Sequence, residues 1–188
     1  MSPRKHEEQA GHLIQDADCA LVIIDIQEKL LPVMSDPAGI VASNVKLVNF
    51  AKIMDLPIVV TEQEKLGATV EDIKNALPFY EPISKITFDA CGNDDFREAV
   101  WAAGKATVAI TGIEGHICVT QTVLSLLPDY RVHVIADAVG CRAPENREIA
   151  LQRMERAGAV ISSSEMFMYE VLERAGTDTF REVLKLVK

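Results

Sequence analysis

The chain has 188 residues, 48% hydrophobic and 25% charged, a globular composition that excludes a disordered, collagenous or coiled-coil chain. Acidic residues outnumber basic ones 28 to 19, for a net charge of −9. Phosphate backbones and anionic bilayers need a basic face, so neither nucleic acid nor membrane is an expected partner.

The length suits one domain whose core needs no disulfide or metal staple. Residues 1–15 are polar and read as an arm ahead of a single domain over 16–188. They lack the apolar stretch of a secretory signal, and no run approaches the roughly 20 apolar residues of a spanning helix. A cytoplasmic location is the expectation.

ALVIID (Ala20 to Asp25) is a continuous apolar run and predicts a strand buried on both faces. Ile40, Val41, Val45, Leu47, Val48, Ala51 and Met54 recur at helical spacing, and Pro57 stops that helix. PIVVT (Pro57 to Thr61) and SKITF (84–88) predict the second and third strands. Asp94 to Ala102 reads as a helix, ATVAITG (Ala106 to Gly112) as the fourth strand. Val119, Val123 and Leu126 share the face of a helix closed by Pro128, and RVHVIAD (Arg131 to Asp137) is the fifth strand. Glu145 to Ala157 is helical up to Gly158, and AVIS (Ala159 to Ser162) is the sixth strand. Ser162 with Glu165 fits a capping box, and Phe180, Val183, Leu184 and Val187 mark a last amphipathic helix.

Strands apolar throughout need helices on both faces. The alternation therefore predicts an α/β, three-layer αβα fold with a doubly wound, six-stranded, mostly parallel, Rossmann-like sheet. Right-handed crossovers gather the strand C-terminal ends at one edge, where such sheets bind ligands. Asp25 ends the first strand, Lys85 lies in the third, and Cys118 follows the fourth, so an acid, a cation and a thiol can meet there. Singly, each has a plainer reading as a turn or cap residue, a solvated lysine and a small core residue. Together they have the logic of a nucleophile and its base: a helix opening near Gly115 and the ammonium favour thiolate, and the carboxylate accepts its proton. The cysteines Cys19, Cys91, Cys118 and Cys141 form no CxxC pair, so a zinc ribbon, a thioredoxin-type motif and a disulfide scaffold are not expected. DIQEKLLP after the first strand has no G-x-G-x-x-G, which argues against a dinucleotide site.

ALVIIDIQEKL, VVTEQE, SKITF and TGIEGHICVTQTVLSLL resemble the isochorismatase-like cysteine hydrolase superfamily, which includes nicotinamidases and carbamoylsarcosine amidohydrolases. The TEQ and G-I-E-x-x-x-C elements are most similar to its isochorismatase-domain-containing branch. The resemblance runs from about Cys19 to the C-terminus and implies the αβα fold. It implies a catalytic triad of Asp25, Lys85 and Cys118, a cis peptide at Ile113–Glu114, and an oxyanion hole from the backbone N–H groups of Glu114 and Cys118. The implied activity is cofactor-free hydrolysis of a C–N bond in a small amide or ureide through a thioester.

The nicotinamidase branch carries a metal site with histidines between the first aspartate and the lysine. Here 26–84 contain no histidine, the four being His6, His12, His116 and His133, so no metal is expected. The branch that cleaves isochorismate, a vinyl ether, lacks the cysteine nucleophile, so Cys118 puts C–N hydrolysis ahead of ether cleavage. A non-enzymatic scaffold or binding protein with a vestigial crevice is the other alternative. Gln27, Gln63, Phe88 and His116 are candidate substrate-binding residues, with Arg142 a further one; core packing or solvent exposure explains Phe88 and His116 as well. The resemblance, with the apolar segment Met166 to Tyr169, suggests a homo-oligomer acting on a small molecule.

Overall fold

A computed structural model describes residues 13–15 and 17–188. The sheet has six parallel strands in the order β3-β2-β1-β4-β5-β6. In chain order, β1 (Cys19–Ile24) leads to α1 (Pro37–Ile53), then β2 (Ile58–Gln63), α2 (Glu71–Ala76) and β3 (Ile83–Lys85). The second half runs α3 (Asp94–Ala102), β4 (Thr107–Ile113), α4 (Thr120–Leu126), β5 (Arg131–Gly140), α5 (Pro144–Arg156), β6 (Val160–Ser162), α6 (Ser164–Leu172) and α7 (Asp178–Val187).

Every residue of β1 is buried, and its side chains alternate between two cores. Leu21 and Ile23 join Leu47 and Phe50 of α1, Phe167 and Met168 of α6 and Val183 of α7. Val22 and Ile24 join Phe96 and Val100 of α3, Val123 of α4 and Met154 of α5. Two faces, each covered by helices, are why the strand reads as an unbroken apolar run. Burying each such Val, Leu or Ile is worth roughly 1.5–3 kcal/mol. Phe50 and Phe167 meet edge to face, centroids 5.9 Å apart, and join α1 to α6.

Several elements differ from the sequence-based expectation. β3 is three residues long, and the chain bends away after Lys85. β5 runs on to Gly140, past a register shift opposite Ile110 and Gly112. The α6 N-cap is Ser163, whose hydroxyl accepts from the Met166 N–H at 3.2 Å; Ser162 belongs to β6. Ile14, placed in the arm, is 1% exposed and packs into the α1–α6–α7 core. Residues 1–12 of that arm lie outside the described residues. Among the described residues no helix is long and apolar enough to cross a membrane.

Strand order reverses between β1 and β4, which each pair with a strand on their far side. In a doubly wound sheet the crevice beyond the C-terminal ends at this switch point is the ligand position.

Candidate active site

Asp25 follows β1 directly in the left-handed region, φ 52°, a conformation aspartate tolerates better than most residues. Its side chain is wholly buried. Asp25 Oδ1 accepts from the Thr61 hydroxyl at 2.7 Å, and Oδ2 accepts from Lys85 Nζ at 2.6 Å. The ammonium also donates to Gln63 Oε1 at 2.9 Å and to the Thr87 carbonyl at 3.2 Å. A buried charge pair endures only when its remaining hydrogen-bonding capacity is filled, and here it is.

The thiol arrives from the other side of the switch point. Gly112, next to last in β4, has φ 122°, and a Cβ there would sit 2.1 Å from the Ile24 carbonyl oxygen, so only glycine lets β4 close on β1. The next peptide, Ile113–Glu114, is cis. Gly115–Val119 is a π-helical turn, with the Val119 N–H donating to the Glu114 carbonyl at 3.3 Å, and α4 follows it. Such turns recur at functional sites because they turn one side chain out of the helical register. Here that segment carries Cys118. The Thr120 hydroxyl ties the turn by donating to the Gly115 carbonyl at 2.7 Å.

The Cys118 thiol feels both charges of that pair, the Asp25 carboxylate and the Lys85 ammonium. Burial pushes the thiol up to about 12; the Asp25 charge adds to that and Lys85 opposes it. The resting sulfur is therefore a neutral thiol near a carboxylate, where the helix opening and the ammonium had suggested a thiolate. Cys118 is the least sealed of the three, 6% exposed against 0% for Asp25 and 1% for Lys85.

The other predicted residues separate into groups. Gln63 is a ligand of the Lys85 ammonium. Gln27 is wholly buried, and its amide bonds the backbone of Gln63 and Gly67. His116, half-buried, sets Nδ1 3.3 Å from the Cys141 sulfur. Phe88 is 56% exposed, just beyond the end of β3. Glu114 is buried, and its carboxylate accepts from Arg142 Nε at 2.6 Å, which leaves an exposed guanidinium on the segment after β5. Sequence reasoning missed Thr61 and Cys141. Thr61 lies 36 residues from Asp25, and pattern along the chain does not report such a contact. Burial raises the Cys141 thiol, and the backbone N–H groups of His116 and Gly115 oppose that shift. All four cysteines are free thiols, and among the described residues no three His, Cys, Asp or Glu side chains cluster as metal ligands.

The isochorismatase domain family model matches residues 19–166. The chain belongs to the isochorismatase family. Its curated relatives include the secreted isochorismatase effector Isc1 of Phytophthora sojae (strain P6497), 32% identical over 95% of this chain and 88% of that one. Isochorismatase domain-containing protein 2A of Mus musculus is also 32% identical, over 89% of this chain and 82% of that one. Among solved structures, the MAR1 ribonuclease from Caenorhabditis elegans superposes with TM-score 0.87 at 33% identity, covering 94% and 92% of the two chains. YcaC from Pseudomonas aeruginosa, described with hexane-2,5-diol and covalent acrylamide, gives 0.85 at 27% identity over 93% and 91%. YcaC from Escherichia coli, described as an octameric hydrolase of unknown specificity, gives 0.83 at 26% over 93% and 87%. An isochorismatase-family chain thus carries an acid, an ammonium and a thiol at the switch point of its hydrolase fold.

Proposed function

We propose that this isochorismatase-family protein is a cofactor-free cysteine hydrolase that cleaves the C–N bond of a small amide or ureide, with Cys118 as nucleophile, Asp25 as general base and acid, and Lys85 holding Asp25. The observation that carries it is the buried Asp25–Lys85 ion pair, Nζ to Oδ2 2.6 Å, with the Cys118 thiol close enough to feel both charges. The related Pseudomonas protein, described with covalent acrylamide, supports a reactive nucleophile on this fold.

In the forward step Asp25 takes the thiol proton as the sulfur attacks the carbonyl carbon, and the C=O π pair moves onto oxygen. The backbone N–H groups of Glu114 and Cys118 receive that oxyanion. Its collapse breaks the C–N bond, and Asp25 returns the proton to the leaving nitrogen. Asp25 then takes a proton from water as the water oxygen attacks the thioester, the C–S bond breaks, and Asp25 returns that proton to the sulfur, which restores the thiol. The net change is amide plus water to acid plus amine. A thiol held at about 12 is a poor nucleophile by itself, which is why it needs a base to take its proton.

The test is mass spectrometry of Cys118 after iodoacetamide at neutral pH, with an amide and ureide panel screened for a thioester. The wild type is expected to be alkylated at Cys118 and to turn over a panel member, and Cys118→Ala to lose both. Equal total labelling of the two proteins, with no thioester, overturns the reading.

The name of the Phytophthora relative favours a second reading, cleavage of the vinyl ether of isochorismate. Pyruvate release that survives Cys118→Ala would establish it. The Caenorhabditis relative is called a ribonuclease, but a net charge of −9 repels a polyanion, and no RNA cleavage is expected here. The octameric description of the Escherichia neighbour supports a homo-oligomer, which light scattering would show as a particle several times 20.6 kDa.

A further inference from the structure

A lysine ammonium has three hydrogens to donate. In Lys85 each has an acceptor: Asp25 Oδ2 at 2.6 Å, Gln63 Oε1 at 2.9 Å and the Thr87 carbonyl at 3.2 Å. Only one of the three acceptors is charged. The Gln63 amide is occupied at its other end too, Nε2 donating to the Ile86 carbonyl at 2.9 Å. Its backbone is fixed in turn by Gln27. Gln27 Oε1 accepts from the Gln63 N–H at 2.9 Å, while Gln27 Nε2 donates to the carbonyls of Gln63 at 3.0 Å and Gly67 at 2.6 Å. The buried Gln27 amide therefore serves the end of β2 as a neighbouring strand would, pairing donor to acceptor along one residue.

We propose that Gln63, anchored by Gln27, is a positioning residue that aims the Lys85 ammonium at Asp25, and that neither amide binds substrate. This rests on the hydrolase reading above. The ammonium has no hydrogen left for an oxyanion or a leaving group, so Lys85 acts through Asp25. The residue type at 63 follows from charge. A neutral carbonyl oxygen completes the ammonium's hydrogen bonds and leaves its positive charge to Asp25. A carboxylate there would share that charge and would repel a thiolate forming on Cys118. An isosteric apolar side chain would leave one buried N–H without an acceptor and free the ammonium to turn.

The experiment follows the rate of Cys118 alkylation by iodoacetamide against pH, by mass spectrometry. The proteins are wild type, Asp25→Asn, Gln63→Leu and Gln63→Glu, with circular dichroism confirming that each is folded. The titratable groups facing the ammonium and the thiol are Asp25, Cys118 and Glu114, the last paired with Arg142. Gln63→Leu is expected to slow Cys118 alkylation about tenfold or more at neutral pH, because small misplacements of a base cost that much. Gln63→Glu, which keeps the acceptor, is expected to recover the wild-type rate at high pH, with the acid limb of its profile moved up by about one unit. Folded Gln63 variants whose profiles overlay the wild type overturn the positioning role. Equal rates for wild type and Asp25→Asn overturn instead the hydrolase reading on which it stands.

Discussion

At the scale of single residues, the site is a saturated polar cluster inside an apolar sheet. Asp25 and Lys85 were legible because they stand beside an apolar run; Thr61 was not, since a threonine inside VVTEQ looks like ordinary strand. Removing one charge of a wholly buried pair strands the other, at about 3–5 kcal/mol, whereas removing both leaves a site that can pack. Asp25→Asn and Lys85→Met should therefore each destabilise strongly in urea unfolding, and the double variant should be more stable than the sum of the two losses. Additive losses would mean that the two side chains do not act as a pair.

At the scale of elements, backbone closeness decides more than side-chain chemistry. A Cβ at Gly112 meets the Ile24 carbonyl at 2.1 Å, while one at Gly158, also at positive φ, meets nothing within 4 Å. Gly158→Ala is expected to cost about 1–2 kcal/mol for its conformation alone, and Gly112→Ala distinctly more, in parallel denaturant titrations. Ser163→Ala should cost about 1 kcal/mol as loss of a cap, and Ser162→Ala should leave α6 unaffected by loss of capping. The sequence pointed to the wrong serine because both begin a plausible cap and only the end of β6 tells them apart. β1 and β4 were legible because each is buried along its whole length, whereas β3, ISK, carries no such pattern and lies over 83–85 instead of the expected 84–88. α2 was not legible, since EDIKNA is too short to show a period, and the π-helical turn at Gly115 lies against Val139 and Gly140 at the end of β5 and against Cys141, neighbours that pattern along the chain does not report.

At the scale of the whole molecule, one buried group makes stability depend on pH. His133 on β5 is 1% exposed, and among the described residues neither ring nitrogen has a hydrogen-bond partner. Burial, helped by Arg131, lowers its pKa to about 4 from an ordinary 6.5. The folded state holds it neutral and the unfolded state charges it more readily. Its contribution is thus complete above about pH 6.5 and is lost as pH falls toward 4, by up to about 3 kcal/mol in total. Unfolding curves across that window should flatten in His133→Phe, and an unchanged slope would assign the acid sensitivity elsewhere. The central place of β1 carries a last consequence. Its second neighbour, Thr107–Ile113, lies far downstream, so a nascent chain leaving the ribosome has translated more than half its length before β1 can be flanked on both sides. Until then one long apolar ribbon is left open to other chains, and slow translation through that interval is where aggregation or chaperone engagement should concentrate.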